Sequence, residues 1–254
     1  MYLSRDPLPD CFKLTPVIKN KKLWVILPGL LGDASLLSTI IPEKDSTLLV
    51  HYIDGDTLQY MDYQQALVRL IQNYASEFQV SLIGYSMGGR LLFSTMPHIH
   101  ELIASATFIS SGLPLFHSTD QLQKHTFDER VCDQCNRLNA HDFVHWWYQL
   151  GIYKGLNQHP EFTTYCERVS KTIDPQRIVR LIHSLSSTKM PLDNYQLPIN
   201  VNYIYGELDQ KYKGIATQYP LFFEKVTPHA IPNASHLCWF EAPHLLKKIM
   251  QALI

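Results

Sequence analysis

The chain has 254 residues, 46% of them hydrophobic and 18% charged, a composition typical of one folded domain with an insertion rather than of a disordered chain. The formal net charge of −1 argues against an overall attraction to nucleic acid or to an anionic membrane. Five irregularly spaced cysteines are typical of free thiols in a reducing compartment. The first residues lack the apolar core of a signal peptide, and no run of about 18 apolar residues follows. We therefore expect a cytoplasmic protein.

Short apolar runs alternate with helical patterns over the first half of the chain. The predicted strands are 23–29, 46–54, 80–86 and 103–111, and the predicted helices between them are 63–75 and 87–96. The strands are apolar throughout rather than alternating, which is typical of a parallel sheet covered on both faces. Strands return at 200–206 and 225–232, before a final helix at 242–253. The sequence therefore predicts an α/β protein.

The alternation is interrupted between residues 113 and 192, where four helical patterns occur without a convincing strand. The simplest interpretation is a core formed by residues 1–112 and 193–254, with a helical cap subdomain at 113–192. Such an insertion would cover one end of the sheet, where α/β proteins bind their ligands.

A G-x-S-x-G motif, Gly84-Tyr85-Ser86-Met87-Gly88, lies between a predicted strand and a predicted helix. Glycines suit this position because the chain reverses sharply, with no room for a Cβ on either side of the serine. The helix N-terminus would favour negative charge developing near Ser86. The motif in this context indicates a nucleophile elbow, whereas a serine in a purely structural turn is the alternative.

A nucleophile elbow requires an acid and then a histidine later in the chain. Asp209 follows the predicted strand 200–206, and His236 lies in a loop before the last helix. Both positions would bring the side chains beside Ser86. The rival acids are Asp54, Asp56 and Glu207, and the rival bases are His51, His229 and His244.

Arg90 follows Ser86 by four residues, which is one helical turn along the same face. A guanidinium stays charged in a protein, so its burial without a partner is costly. Arg90 could reach solvent or a structural carboxylate, or it could bind a substrate carboxylate through two hydrogen bonds. The residues alone leave both interpretations open.

With the elbow, the late aspartate and the late histidine in place, the chain resembles the α/β-hydrolase fold family. The resemblance implies a triad of Ser86, Asp209 and His236. It also implies that the backbone N–H groups of Leu30 and Met87 face a developing oxyanion. The loop before Leu30 has Pro28-Gly29 where that family usually has His-Gly.

Within that fold, "GYSMGGR" and "GELDQKY" look like segments of the 2-succinyl-6-hydroxy-2,4-cyclohexadiene-1-carboxylate synthase (MenH) family. "FVHWWYQLGIY" and "ERVSKT" are similar to its cap. The resemblance implies that the substrate is bound by Tyr85, Arg90, Lys124, Trp147, Arg168 and Lys211. Arg130 replaces Lys124 if the alignment contains a gap. The "YIDGDTLQ" segment after the second predicted strand departs from the fold's usual pattern.

The resemblance implies a lyase of menaquinone synthesis that removes a proton and expels pyruvate from a succinyl-enolpyruvyl-cyclohexene carboxylate, a small polycarboxylate, without a cofactor. A carboxylesterase or thioesterase with the same triad is the alternative, and a non-catalytic relative that only binds ligands is a third possibility. Cys132 and Cys135, with His141 and His145, have a spacing that follows from a helix, and we expect no metal site there.

Overall fold

The computed structural model describes residues 11–32, 34–55, 57–192 and 195–253. Asp56, one of the rival acids, lies outside these ranges, as does the predicted domain boundary at residue 193. Within them, seven strands form one sheet in the order β1-β3-β2-β4-β5-β6-β7. The strands are β1 (Phe12–Val17), β2 (Lys22–Leu27), β3 (Ser46–Tyr52), β4 (Gln79–Tyr85), β5 (Ser105–Ile109), β6 (Leu197–Gly206) and β7 (Phe223–Ile231).

All neighbouring pairs are parallel except β1 with β3. The α-helices are α1 (Ala34–Leu37), α2 (Tyr60–Ala75), α3 (Met87–Ile99), α4 (Ser118–Arg137), α5 (Ala140–Trp147), α6 (Phe162–Ser170), α7 (Pro175–Leu185), α8 (Gln210–Ala216), α9 (Cys238–Glu241) and α10 (Pro243–Ala252). The predicted α/β architecture is confirmed.

The central strand β2 is buried on both faces of the sheet because it is apolar from Leu23 to Leu27. Leu23 and Val25 of β2 join a core with α2 and α3 on one face. Trp24 and Ile26 of the same strand join a second core with α1 and α10 on the other face. Since successive side chains of a strand point to opposite faces, each residue of β2 is used for packing.

The sequence analysis did not predict β1. Most of its side chains are exposed, and Pro16 interrupts the pattern, so no apolar run indicates a strand. It pairs only with β3 at the edge of the sheet, where a proline is tolerated because one side of the strand makes no ladder hydrogen bonds.

Between β5 and β6 the described residues form α4, α5, α6, α7 and short 3-10 turns, without a strand. This matches the predicted helical insertion, whereas its boundaries as a separate subdomain stay a prediction. The helices pack on the sheet's second face, since Phe143 of α5 and Ile178 of α7 share a core with Ile26 of β2. The insertion therefore lies against the same face as α1 and α10.

Candidate active site

Ser86 lies in the sharp turn between β4 and α3, with φ of 51° and ψ of −110°. A Cβ on Gly84 would lie 2.6 Å from Cα of Gly89, and one on Gly88 would lie 2.4 Å from the carbonyl oxygen of Leu27. Both positions therefore require glycine. The strained backbone at Ser86 is held because its N–H donates to the carbonyl of Ile109 at 2.9 Å.

The structure brings Ser86, His236 and Asp209 together in a hydrogen-bonded series. Nε2 of His236 lies 3.0 Å from Oγ of Ser86, and Nδ1 lies 2.8 Å from Oδ2 of Asp209. A carboxylate only accepts hydrogen bonds, so Nδ1 carries the ring proton and Nε2 is left to accept from the serine hydroxyl. This arrangement can remove a proton from Ser86 and hold it on His236.

His236 and Asp209 are almost completely buried, each with 1% of its surface exposed. Burial lowers the pKa of His236, although the hydrogen bond and the charge of Asp209 act in the opposite direction. The positive charges of Lys211 and Arg90 lower this pKa further. His236 is therefore neutral at neutral pH, as a general base must be.

The loop that was predicted to donate to an oxyanion lies directly beside Ser86. A Cβ on Gly29 would lie 3.3 Å from Cβ of Ser86, and Tyr52 fixes the loop by donating its hydroxyl proton to the carbonyl of Pro28 at 3.0 Å. Met87 is the first residue of α3, so its N–H has no acceptor within the helix. Leu30 and Met87 are thus near the serine, and their role as N–H donors stays a prediction.

Arg90 begins the second turn of α3, and its N–H donates to the carbonyl of Ser86 at 3.1 Å. Its side chain runs past Gly112, since a Cβ there would lie 3.4 Å from Cδ of Arg90. Nε of Arg90 is buried, and none of the described residues accepts a hydrogen bond from it. A buried guanidinium N–H without an acceptor is costly, so this site is suited to an anionic ligand.

Lys124 of α4 forms an ion pair with Asp128. Burial and the charge of Arg90 lower the pKa of Lys124 to about 8, against the opposing effect of Asp128. Lys211 lowers it slightly as well. Arg90 and Lys211 thus act on the charges of both Lys124 and His236, and Arg90, Lys124 and Lys211 are called the positive region below.

Arg130, the alternative to Lys124, points elsewhere. It is exposed, and its guanidinium carbon lies 5.6 Å from the ring centre of Trp146. The structure therefore favours Lys124 as the cation of α4 at this site. Lys211 is exposed, with Nζ 5.5 Å from the ring centre of Tyr212.

The three remaining predicted residues differ in how directly they reach the site. The ring of Tyr85 packs against His236 with 5.4 Å between the ring centres. Trp147 ends α5 and donates its indole N–H to the hydroxyl of Tyr153 at 2.9 Å. Arg168 of α6 is exposed and lines a cavity of about 250 Å³ that Gly29 and Leu30 also line.

The rival acids and bases have other partners. Asp54 pairs with Arg177 and Arg180 of α7. The remaining described rivals have other contacts: Glu207 accepts from the N–H of Asn233, His51 contacts Thr15 and lines the same cavity as Arg168, His229 contacts Asn202, and His244 is exposed.

Sequence reasoning missed three residues of this site. Tyr153 and Tyr212 flank the ring of His236, with ring centres 5.5 and 4.5 Å away, and Asp128 holds Lys124. Tyr212 lies within the "GELDQKY" segment, and an acid four residues after a lysine on a helix is a signal for an ion pair. Tyr153 is the last residue of the "FVHWWYQLGIY" segment, although nothing in that segment indicates that its ring reaches His236.

The described ranges lack two further kinds of site. They contain no group of three or more His, Cys, Asp or Glu side chains placed to hold a metal ion. They also contain no helix that is long and apolar enough to cross a membrane. The five cysteines are free thiols, of which Cys132 on α4 is partly exposed and the other four are buried.

Comparison with known proteins gives distant relatives. No family model matches the chain. It is 24% identical over 247 residues to a "Putative 2-succinyl-6-hydroxy-2,4-cyclohexadiene-1-carboxylate synthase" of Bacillus subtilis, covering 92% of this chain and 86% of that protein. It is 25% identical over 236 residues to the chloroplastic protein PHYLLO of Arabidopsis thaliana. The match covers 87% of this chain but spans only 14% of PHYLLO.

Solved structures share the whole architecture. MenH from S. aureus superposes with a TM-score of 0.83 at 17% identity, covering 96% of this chain and 97% of that one. A marine microorganism esterase superposes with a TM-score of 0.68 at 13% identity, covering 96% and 99%. The chain has the α/β-hydrolase fold, as predicted, and its sequence resembles the MenH synthases. At identities this low, the superpositions establish the fold but not the reaction.

Proposed function

We propose that the protein is a lyase of menaquinone synthesis that eliminates pyruvate from a succinyl-enolpyruvyl-cyclohexene carboxylate. The proposal rests mainly on Arg90, which lies one helical turn after Ser86. Its Nε is buried, and none of the described residues accepts a hydrogen bond from it. A substrate carboxylate would provide this acceptor. An ester without a carboxylate would provide no anionic acceptor for this N–H.

The proposed base is Ser86, activated by His236, which Asp209 orients. In this reaction the serine oxygen takes a proton from a ring carbon, and His236 holds the serine's own proton. The electrons of the C–H bond form a new C=C bond as the C–O bond to the enolpyruvyl group breaks. The group leaves as the enolate of pyruvate and takes up the proton held on His236, while Ser86 keeps the proton from the ring carbon, and a conjugated cyclohexadiene remains. No covalent acyl-enzyme and no cofactor take part.

The positive region provides binding and orientation. Two different parts of the chain supply these cations, since Arg90 is on α3 of the core and Lys124 is on α4 of the insertion. Lys211 and the cavity-lining Arg168 would extend the same function. Several fixed cations suit a substrate with several carboxylates, because each charge-assisted contact restrains its orientation.

The names of the relatives support this reaction without deciding it. The Bacillus subtilis protein and the S. aureus structure carry the name of this synthase. We also propose a cytoplasmic location, which agrees with the free thiols of the chain.

The direct test is pyruvate release by the purified protein from the cyclohexene precursor, measured with lactate dehydrogenase and by the ultraviolet absorbance of the diene. We expect turnover in the wild type and its loss in Ser86→Ala. Absence of pyruvate and of diene from correctly folded protein would exclude the proposed reaction.

A carboxylesterase or thioesterase is the second candidate, because an esterase shares the fold and the same Ser-His-Asp series can attack an ester. Rapid hydrolysis of p-nitrophenyl esters without pyruvate release would favour it. The matched control is Arg90→Met, which should leave ester hydrolysis intact in an esterase and should damage turnover in a lyase that binds a carboxylate at Arg90.

A further inference from the structure

One short turn of the helical insertion touches His236 directly. The 3-10 turn Gly151–Tyr153 follows α5, and the carbonyl of Ile152 accepts a hydrogen bond from the backbone N–H of His236 at 3.0 Å. This bond joins the insertion to the loop that carries the proposed base. The backbone of His236 is therefore held by a segment from outside the sheet and its connecting loops.

The next residue of the same turn covers the imidazole. The ring of Tyr153 meets the ring of His236 nearly at right angles, with 5.5 Å between the centres and 82° between the planes. Tyr153 is buried, with 6% of its surface exposed. An aromatic side chain packed in this way excludes water from one side of the imidazole and restricts its rotation.

The position of Tyr153 is fixed in turn by the insertion itself. The indole N–H of Trp147 donates to the Tyr153 hydroxyl at 2.9 Å. Since indole has a single donor, Trp147 has no hydrogen left to donate to a ligand. The ring of Tyr148 packs on Tyr153 with 5.0 Å between the centres.

The segment also lies beside the loop of the proposed acid. A Cβ on Gly155 would lie 3.5 Å from Cδ1 of Leu208, the residue before Asp209. Gly155 has a φ of 92°, a left-handed conformation that favours glycine. The segment from Gly151 to Gly155 thus contacts the loops of both His236 and Asp209.

We propose that Tyr153 is a positioning residue for His236, and that through it the helical insertion completes the Ser86-His236-Asp209 series. The inference rests on the proposed role of this series in catalysis, although it does not depend on the substrate. Tyr153 acts through its ring, which restricts the rotation of the imidazole and excludes water from it, whereas its hydroxyl fixes the ring to Trp147.

The expected effect on His236 has a definite sign. Burial is the largest cause of its lowered pKa, so removal of the Tyr153 ring admits water and raises this pKa toward the ordinary value. The other groups that face His236 or act on its charge stay in place in such a variant: Asp209, Lys211, Tyr212, Tyr85, Ser86 and Arg90.

The test is an NMR titration of His236 in the wild type and in Tyr153→Leu, with its resonance assigned from a His236→Gln variant. We expect the pKa to rise by about half a unit or more in Tyr153→Leu. Tyr153→Phe keeps the ring and should leave the pKa near the wild-type value. Tyr165→Leu is the matched control, because Tyr165 is similarly buried in the insertion and its ring packs against the rings of Tyr148, Trp239 and Phe240.

The second readout is the rate at which a fluorophosphonate labels Ser86. We expect a loss of about 10-fold or more in Tyr153→Leu, because a misplaced base activates the serine poorly. Tyr153→Phe and Tyr165→Leu should keep most of the rate. Tyr153→Met replaces the leucine variant if that one does not fold, since methionine fills irregular space.

An unchanged His236 pKa and labelling rate in a folded leucine or methionine variant would overturn the inference. An equal effect in Tyr153→Phe would also overturn it, because the ring would then not be the active part. Failure of the proposed reaction is a separate outcome: it would show as absent pyruvate release, whereas both readouts here use no substrate.

Discussion

Arg90 combines features that rarely occur together in one side chain. It lies on a helix that packs under the sheet, yet it carries a permanent charge, and its buried Nε has no acceptor among the described residues. Its charge acts on both Lys124 and His236. A charge placed in this way costs stability unless a ligand neutralises it, which is the pattern of a binding residue.

Replacement of Arg90 by methionine should therefore damage catalysis more than folding. We expect kcat/KM for pyruvate release to fall about 10- to 100-fold, from the loss of charge-assisted hydrogen bonds of about 1.5–3 kcal/mol. The unfolding free energy in urea should be unchanged or higher. Arg90→Lys keeps the positive charge but lacks the planar guanidinium, so its kcat/KM should lie between those of the wild type and Arg90→Met. Wild-type kcat/KM in Arg90→Met would contradict this role.

The pH dependence of kcat/KM should have two limbs of known origin. His236 must be neutral, and burial lowers its pKa, so activity should fall only below the usual histidine range near pH 6.5. Lys124 must be charged, and its pKa is lowered to about 8. Activity should therefore also decline as pH rises through about 8, as Lys124 loses its proton.

Lys124→Arg is the test of the alkaline limb, since arginine does not lose its proton in this range. We expect the limb to disappear or to move well above pH 8, with the acid limb unchanged. Initial rates of pyruvate release from pH 5 to 10 measure both limbs. If the alkaline limb persists near pH 8 in Lys124→Arg, a group other than Lys124 causes it.

At the scale of single residues, the sequence predicts those that belong to a recognisable catalytic motif. Ser86, Asp209 and His236 follow from the motif and its order along the chain, and the structure places them within hydrogen-bonding distance. The contact between Tyr153 and His236 could not be predicted, because it joins positions 83 residues apart and leaves no local pattern. Lys124 and Arg130 could be distinguished only by the direction of each side chain.

At the scale of elements, α7 of the insertion is joined to the loop after β3 by charge. Asp54 accepts from Nε of Arg180 at 2.5 Å and lies 3.3 Å from Nε of Arg177. Arg177 also donates to the carbonyl of Tyr52 at 2.6 Å. Burial raises the pKa of Asp54, but the hydrogen bond and the charges of the two arginines outweigh it, so this pKa lies below its ordinary value.

Asp54→Asn should weaken this attachment. We expect the unfolding free energy at pH 7 to fall by about 2 kcal/mol, the magnitude of hydrogen bonds to charged groups. Because the folded pKa of Asp54 is lowered, its contribution is present above the unfolded value near pH 4 and is lost as pH falls through the folded value. Urea unfolding should thus show a smaller difference in unfolding free energy between wild type and Asp54→Asn at pH 3 than at pH 7. Equal unfolding free energies at pH 7 would contradict the prediction.

Elements with strong apolar patterns were predictable, and the others were not. β2 and β4 were found because their buried residues form continuous runs, whereas β1 was missed because its side chains are mainly exposed and only its backbone pairs with β3. The helices of the insertion were predicted from the helical spacing of their apolar residues. Their attachment through Asp54 required knowledge of which loop faces α7.

For the molecule as a whole, the insertion and the sheet share a hydrophobic core. Phe143 of α5 and Val169 of α6 belong to the same cluster as Ile26 of β2 and Leu246 of α10. Helices that bury their apolar faces against the sheet gain much of their stability from it. The insertion is therefore unlike a subdomain with an independent core.

We expect the chain to unfold in one cooperative transition. Trp146 and Trp147 report on the insertion, while Trp24 and Trp239 report on the core. Tryptophan fluorescence, with single Trp→Phe variants to separate the signals, should give the same urea midpoint as far-ultraviolet circular dichroism. Separate midpoints for the two tryptophan groups would show that the insertion unfolds by itself.

The partly exposed thiol of Cys132 provides a natural attachment point for a reporter. It lies one helical turn after Asp128 on α4, while the other four cysteines are buried. A fluorescent or fluorinated maleimide would thus attach to the native chain at a single accessible position, without any engineered cysteine. Because Cys132 lies one turn from Asp128, the ion-pair partner of Lys124, such a tag would be placed on the insertion side of the site, where ligand binding could be followed in real time.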